Sequence, residues 1–198
     1  MNDVRSVTIE DELTIVFPGT WAMIPLHDEA AASRRISRLV AERVGRADRL
    51  ARVRRTAKSE LEKLVALADA SDAFALAMSM EILPGVPFPA SIVMAREALP
   101  AGVDGDDAAA RLERAFPDAE PLTFSFGPVR RRSAVRQTTY DEESAPELVA
   151  DYRFAAPDGE RLVHLRVNAP MATDPELYLE LFDAIVDSIT FRAPLSRA

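Results

Sequence analysis

The sequence predicts an α+β protein: a mainly antiparallel β-sheet flanked by helices, with a basic helical hairpin in the N-terminal half and an amphipathic C-terminal helix. Three observations predict this class. Short segments of alternating apolar and polar residues are joined by Gly and Pro turns, residues 28–70 have helical apolar spacing, and residues 162–191 read strand, turn, helix, strand. With 198 residues, 48% of them apolar and 28% charged, the chain suits one domain over 1–198, with the hairpin at about 28–70 as an insertion.

The N-terminal segment predicts two strands. Residues 7–17 read as one strand bent near residues 11–12, and Pro18-Gly19 makes a turn into a second short strand over residues 20–26. That second strand holds the only tryptophan, Trp21. We expect Trp21 to pack in the core rather than to form a binding platform, because a lone tryptophan beside apolar neighbours is usually buried.

The helical region divides at Gly45, because glycine inside a helix costs about 1 kcal/mol relative to alanine. Its second helix carries an apolar stripe formed by Leu50, Val53, Ala57, Leu61, Leu64 and Ala68. The region is also strongly basic. Residues 34–58 hold ten cations and two acids, a local charge of +8, whereas the whole chain has a net charge of −8, which leaves −16 for the rest. The sequence therefore predicts a basic hairpin on an acidic body.

Three interpretations of the arginines remain open: pairing within the molecule, including with the acidic face of the C-terminal helix, and solvation; docking of an acidic protein surface; and binding of nucleic acid or membrane. Five arginines recur at every third residue, so the row spirals around the helix instead of forming one stripe. Aromatic residues for base stacking are not interleaved with them. Arg49, Arg52 and Arg55 are therefore candidate contacts for a protein partner.

A strand over residues 74–82 and a return strand over 92–99 are joined by an apolar, proline-rich loop at 83–89. Leu83, Val86 and Phe88 are unusually apolar for a loop. A rigid apolar loop has little entropy left to lose on binding, which favours a contact site. The alternative is that the loop folds back over the end of the sheet.

The second half predicts a short helix over 107–116 and four strands, over 122–126, 131–140, 148–154 and 162–168, with 141–147 as a charged loop. Asp158-Gly159 predicts a hairpin between the last two. The C-terminal helix begins at Asp174-Pro175, an N-cap followed by a proline at the first helical position, and ends near residue 187. Its predicted apolar face comprises Leu177, Tyr178, Leu181, Phe182 and Ile185. The acids on its other face, Glu176, Glu180, Asp183 and Asp187, indicate a solvated surface rather than a metal site.

Composition excludes several functions. The sequence has no cysteine, which removes disulfides and thiolate chemistry. The acidic net charge argues against nucleic acid, and no apolar run is long enough to span a membrane. The start of the chain has no signal-peptide pattern, so we expect a cytoplasmic protein. His27 and an exposed His164 lie in separate elements, and the sequence has no nucleophile-elbow, Walker or dinucleotide motif. We therefore expect no metal, cofactor or catalytic residue, and no enzyme.

Two segments carry a family resemblance: Trp-x-x-Ile-Pro-Leu at residues 21–26, and residues 185–191, which contain Asp-Ser-Ile-Thr-Phe. With the order of elements, they resemble the PsbP-like α/β/α sandwich, which includes DcrB-like proteins, photosystem extrinsic proteins, a Ran-release factor and actinobacterial lipoproteins. The resemblance implies a binding, accessory or chaperone role. We thus expect a non-enzymatic accessory or chaperone protein of bacterial type that binds an acidic or apolar partner segment through residues 83–88 and 34–58. A small-molecule module with an apolar pocket between sheet and helices is the alternative, and an enzyme is third.

Overall fold

The computed structural model describes residues 4–10, 13–45, 47–103, 106–140 and 143–192. The strands are β1 (Val4–Ile9), β2 (Leu13–Pro18), β3 (Thr20–Ile24), β4 (Ala73–Leu83), β5 (Val86–Ala98), β6 (Glu120–Phe124), β7 (Gly127–Tyr140), β8 (Glu143–Ala155), β9 (Arg161–Pro170) and β10 (Thr190–Phe191). The helices are α1 (Glu29–Val44), α2 (Ala51–Ala70), α3 (Ala108–Ala115) and α4 (Pro175–Asp187).

The strands form two antiparallel sheets. A seven-stranded sheet has the order β3-β4-β5-β9-β8-β7-β6, and a three-stranded sheet has the order β1-β2-β10. The predicted α+β class is confirmed. A single domain over 1–198 stays a prediction. No helix in the described ranges is both long enough and apolar enough to cross a membrane.

The two faces of the large sheet are covered differently. One face packs against α4 and the three-stranded sheet, and it forms the main core around Tyr152, Phe154 and Phe182. On the other face, the hairpin of α1 and α2 covers the β3–β4 end, where Leu76 and Ile36 are fully buried. Helix α3 contacts β7 and β8 on that face, through a small cluster around Leu112. The molecule therefore has three layers.

Helix α4 begins where the sequence predicts. The Asp174 side chain accepts a hydrogen bond from the Leu177 amide at 3.3 Å, and Pro175 occupies the first turn. Phe182 and Ile185 are buried against the sheet, as predicted. Leu177 is 59% exposed, however, because the buried face of α4 is rotated toward Val186.

The N-terminal strands differ from the prediction. Residues 7–9 and 13–17 belong to two antiparallel strands, β1 and β2, rather than to one strand, and residues 11–12, where a bend was predicted, lie outside the described residues. Strand β2 also pairs with β10 from near the other end of the chain. Strand β3 pairs with β4 in the other sheet, so β2 and β3 are not partners. Trp21 is buried as expected: its ring stacks on Phe17 at 4.7 Å, and its Nε1 donates to the Pro18 carbonyl at 3.0 Å.

Strand lengths were underestimated at two turns. The loop predicted at 83–89 reduces to Pro84-Gly85, because β5 already begins at Val86. Strand β9 pairs with β5 only from Ser91 onward, so β5 has no strand neighbour on that side at residues 87 and 89. Proline, which has no N–H, is tolerated at these two positions because no partner strand requires a backbone donor on that side. Residues 143–147 belong to β8 rather than to a charged loop, and residues 141–142 lie outside the described residues.

The helical hairpin divides as predicted, since α1 ends at Val44 and Gly45 adopts a φ of 90°. Its apolar stripe is correct in part. Ala68, in the last turn of α2, is buried, but Val53, in its first turn, is 52% exposed. The β8–β9 hairpin at Asp158-Gly159 is confirmed.

Candidate functional site

An apolar groove of about 410 Å³ lies between the helical hairpin and the β4–β5 hairpin. Its helical wall comes from the last turns of α1 and the middle of α2, and its sheet wall comes from neighbouring positions of β4 and β5. The lining residues are Leu39, Val40, Arg43, Val44, Ala57, Leu61, Met78, Ser79, Met80, Pro87, Phe88 and Pro89. Parts of the two regions that the sequence proposed as contact surfaces, residues 34–58 and 83–88, therefore line one groove, but of the six predicted contact residues only Phe88 is among its lining residues.

The groove exists because this part of the hairpin packs loosely on the sheet. Leu39 and Val40 are buried, whereas Ala57 and Leu61 are only partly covered. Ala57 contributes only a methyl group to the apolar cluster between the hairpin and the sheet. Met78 and Met80 contribute flexible, polarizable side chains that adapt to differently shaped apolar groups.

A polar contact fixes one end of the groove. The Arg43 guanidinium donates to Glu81 Oε1 at 2.6 Å and to the Met80 carbonyl, and the Gly85 amide donates to Glu81 Oε2 at 3.2 Å. The Arg43 hydrogen bond, supported by the Gly85 amide, lowers the pKa of Glu81 below its ordinary value. Glu81 therefore stays ionised at neutral pH and links α1 to the β4–β5 turn.

Ser79 borders the groove, but alternation along β4 directs its side chain to the opposite face of the sheet, the side of Ala77 and Ala90. It is 8% exposed, and its buried hydroxyl has no hydrogen-bond partner among the described residues. A buried hydroxyl without a partner leaves hydrogen-bonding capacity unused. Because it is buried on the far side of the sheet, this hydroxyl is not available to a ligand in the groove.

The predicted residues of the β4–β5 turn are divided by the structure. Leu83 and Val86 are 45% and 47% exposed, so they are available at the surface. Phe88 requires a correction, because its side chain is 5% exposed and packs on Tyr178 and Phe182 of α4, with ring centroids 5.0 Å and 6.0 Å apart. Alternation along β5 directs its ring away from the helical hairpin, and the flanking prolines line the groove more openly.

The basic residues of the hairpin that the structure describes do not pair with α4, because the hairpin and α4 lie on opposite faces of the large sheet. Arg54 instead donates to the Gly45 and Ala47 carbonyls, both at 2.8 Å. Arg49, Arg52 and Arg55 are exposed, and within the described ranges none of them forms an ion pair. The acidic face of α4 pairs elsewhere: Asp183 accepts hydrogen bonds from Arg131 and from the Tyr152 hydroxyl.

A polar cluster on the large sheet was missed from the sequence. His164 is 17% exposed rather than solvated: its Nε2 lies 2.7 Å from Asp151 Oδ1, and its Nδ1 lies 3.2 Å from Glu97 Oε1. Burial raises the pKa of Asp151, but the His164 hydrogen bond and the charge of Arg166 outweigh burial and lower that pKa overall. The cross-strand positions of Asp151 and Arg166 follow from the β8–β9 register, which the sequence alone does not reveal.

This cluster contains the acid and base groups that the enzyme hypothesis needs. Each of these groups, however, already forms a hydrogen bond or an ion pair with another member of the cluster. His27 lies elsewhere, at a residue with φ of 60°, beside Asp69. Among the residues that the structure describes, no group of three or more His, Asp or Glu side chains is arranged so that it could hold a metal ion.

The protein thus has an α+β fold in which an apolar groove lies between the helical hairpin and the antiparallel sheet. No known protein family matches the chain, and no curated protein matches its sequence. Among solved structures, the chain is similar to LpqN, involved in cell envelope biogenesis of Mycobacterium tuberculosis, with 13% identity, a TM-score of 0.43, and coverage of 98% of this chain and 92% of that chain.

A second similar structure is the Saccharomyces cerevisiae Ran-binding protein Mog1p. It shares 10% identity and a TM-score of 0.48, with 96% of each chain covered. At these identities and TM-scores, neither similarity carries information about the function of this chain. The resemblance to PsbP-like and DcrB-like proteins stays a prediction.

Proposed function

We propose that this chain is a non-enzymatic accessory or chaperone protein that binds an apolar segment of a partner protein in the groove. The apolar groove between the helical hairpin and β4–β5 carries the proposal. Its shape suits one or two large apolar side chains of a partner segment, and methionine-lined surfaces adapt to partners of varied sequence.

The charge around the site supports an acidic character in the flanks of that segment. Arg49, Arg52 and Arg55 lie in and before the first turns of α2, on the N-terminal side of the groove residue Ala57. Exposed cations of this kind attract and orient acidic groups more than they add affinity. Leu83 and Val86 offer further exposed apolar contacts at the neighbouring turn. The buried ring of Phe88 supports the sheet wall from behind.

A labelled peptide with a leucine- and methionine-rich centre and glutamate-rich flanks tests the proposal by fluorescence anisotropy. Ala57→Glu introduces a charge into the groove, so we expect binding to weaken at least about tenfold, the equivalent of about 1.4 kcal/mol. Ala66→Glu is the matched control, since Ala66 is exposed and half a turn out of phase on the same helix. Equal binding by the wild type and both variants would contradict the proposal.

The arginines are tested separately. Arg49→Glu/Arg52→Glu should weaken the peptide with acidic flanks and leave a version with glutamine flanks bound as before. Loss of both peptides would show that the double variant has damaged the fold, which circular dichroism and thermal melting detect. If both peptides still bind, the arginines do not belong to the binding surface, and the proposal for the groove is unaffected.

A small apolar ligand is the second candidate, favoured by the position and volume of the same groove. About 410 Å³ lies within the range of small-molecule sites, roughly 300–1,000 Å³. Decanol is a suitable probe. A saturable rise in melting temperature with decanol, abolished by Ala57→Glu, together with no binding of the peptide, would favour this candidate over the first.

A further inference from the structure

The outer edge of β7 is unpaired over most of its length. Strand β6 pairs with β7 only over Gly127–Arg131, whereas β8 pairs with β7 as far as Tyr140. Residues 132–139 thus have a strand neighbour on one side only among the described residues. Their edge is about 26 Å long at the usual rise of a strand. In an antiparallel strand, alternate residues direct their N–H and C=O groups to the same side, so every second residue here directs both groups outward.

This edge is exposed on both faces of the sheet. Every residue from 132 to 137 is exposed, including Val135 at 50%. Helix α3 contacts β7, but its small apolar cluster involves Leu99 and Leu162, and the α1–α2 hairpin covers the other end of the sheet. An additional strand can therefore approach the edge without displacing a described element.

The side chains along residues 132–139 include two arginines and no acid, so this edge is positively charged. Arg132 and Arg136 are four residues apart on one face of β7, and neither forms a hydrogen bond or an ion pair within the described ranges. Asp151, the residue opposite Arg132 on β8, is already engaged by His164 and Arg166. The two guanidinium groups are therefore free to bind carboxylates of a further strand, on a protein whose net charge is −8.

We propose that residues 132–139 form a second protein-binding site, which takes an extended acidic segment of a partner as an added β-strand beside β7. Backbone hydrogen bonds to the outward groups would fix the segment along the edge. Carboxylates on alternate residues would contact Arg132 and Arg136, and a small apolar residue between them would lie against the opposite face, beside Val135. This site is separate from the groove, since it lies at the far end of the strand order from β3 and β4.

A different explanation of Arg132 and Arg136 is that they prevent self-association, because charged residues on exposed edge strands hinder unwanted strand pairing. The two explanations differ in what the edge does with an acidic strand. A guarded edge repels strands regardless of their sequence, whereas a binding edge selects acidic ones and holds them by their backbone. The test therefore varies the charge and the backbone of the probe independently.

The probe is a fluorescein-labelled peptide of alternating threonine and glutamate that matches the length of the edge. Two companions have lysine in place of glutamate, or N-methyl groups on alternate amides, which remove backbone donors but keep the charge. We expect saturable binding of the first peptide and at least about tenfold weaker binding of each companion. Hydrogen exchange of the amides in residues 132–139 should slow only with the first peptide.

Arg132→Glu/Arg136→Glu should weaken the glutamate peptide at least about tenfold, because two attractions become repulsions. Arg5→Glu/Lys63→Glu makes the same change of net charge at other exposed sites and should leave binding within about twofold. Equal binding of the N-methylated peptide, equal loss in both double variants, or no binding of the glutamate peptide would each overturn the proposal. Ala57→Glu should not affect this peptide, so failure here is distinguishable from failure of the groove.

Discussion

Asp183→Asn is expected to destabilise the protein by about 2–3 kcal/mol. Asp183 joins α4 to the sheet, since it accepts hydrogen bonds from Arg131 on β7 and, at 2.7 Å, from the Tyr152 hydroxyl on β8. The Arg131 side chain is 10% exposed, and burial alone would disfavour its charge. Hydrogen bonds to Asp183 and Glu120 outweigh burial and raise the pKa of Arg131, so the guanidinium is strongly stabilised as a cation.

The size of the effect follows from what remains after the substitution. Removing one partner of a buried ion pair costs about 3–5 kcal/mol when the other charge is left alone. Arg131 would keep Glu120, whose side chain is 54% exposed and whose contact water weakens, so the loss is reduced but not cancelled. Tyr152→Phe removes only the hydroxyl hydrogen bond and should cost about 1 kcal/mol.

Urea unfolding followed by the fluorescence of Trp21 measures both changes, with the denaturation midpoint and slope fitted together. Glu120→Gln is the control on the exposed side of Arg131 and should cost less than Asp183→Asn. The double variant Tyr152→Phe/Asp183→Asn should be less destabilised than the sum of its parts, because the two residues share a hydrogen bond. A change below about 0.5 kcal/mol for Asp183→Asn would refute the reasoning.

Three further predictions concern local features. Gly19→Ala should destabilise the protein by more than about 2 kcal/mol, because φ is +74° and a Cβ would lie 2.1 Å from the Glu81 carbonyl oxygen. Gly85→Ala should cost only about 1 kcal/mol, because Gly85 has a similar φ of +78° but open space around it. Thermal unfolding measures both changes. Phe88→Ala should cost about 3–5 kcal/mol in urea and Leu83→Ala less than about 0.5, because only the first side chain is buried. Burial raises the pKa of Asp158, but hydrogen bonds from Arg161 and the Glu160 amide lower it to about 2. Because this pKa is depressed, its stabilisation is present above the unfolded value near 3.8 and lost as pH falls toward 2; Asp158→Asn should abolish that part of the acid dependence of the urea midpoint.

Local signals in the sequence predicted local structure well. The start of α4 was predictable because Asp174 and Pro175 determine it within one turn of the chain. Gly45 and the β8–β9 hairpin were predictable for the same reason. The buried state of Trp21 followed from its size and apolar neighbours.

Features that depend on distant pairing were not predictable. His164 shares a strand face with Arg166, which suggested exposure, but its environment is set by Asp151 and Glu97 on the two neighbouring strands. Pairing of β10 with β2 joins segments about as far apart as the chain allows. The groove combines residues from α1, α2, β4 and β5, so the sequence indicated two of its walls without indicating that they face each other.

The pairing of β10 with β2 also determines when the chain can complete its fold during synthesis at the ribosome. The Ser188 hydroxyl accepts a hydrogen bond from the Val16 amide at 3.0 Å, and Phe191 lies opposite Leu13, so the small sheet is incomplete until β10 has been made. Until then, the N-terminal hairpin and the apolar side of the large sheet have no α4 to cover them. We therefore expect these apolar surfaces of the nascent chain to stay uncovered, and prone to aggregation, until α4 and β10 have left the exit tunnel.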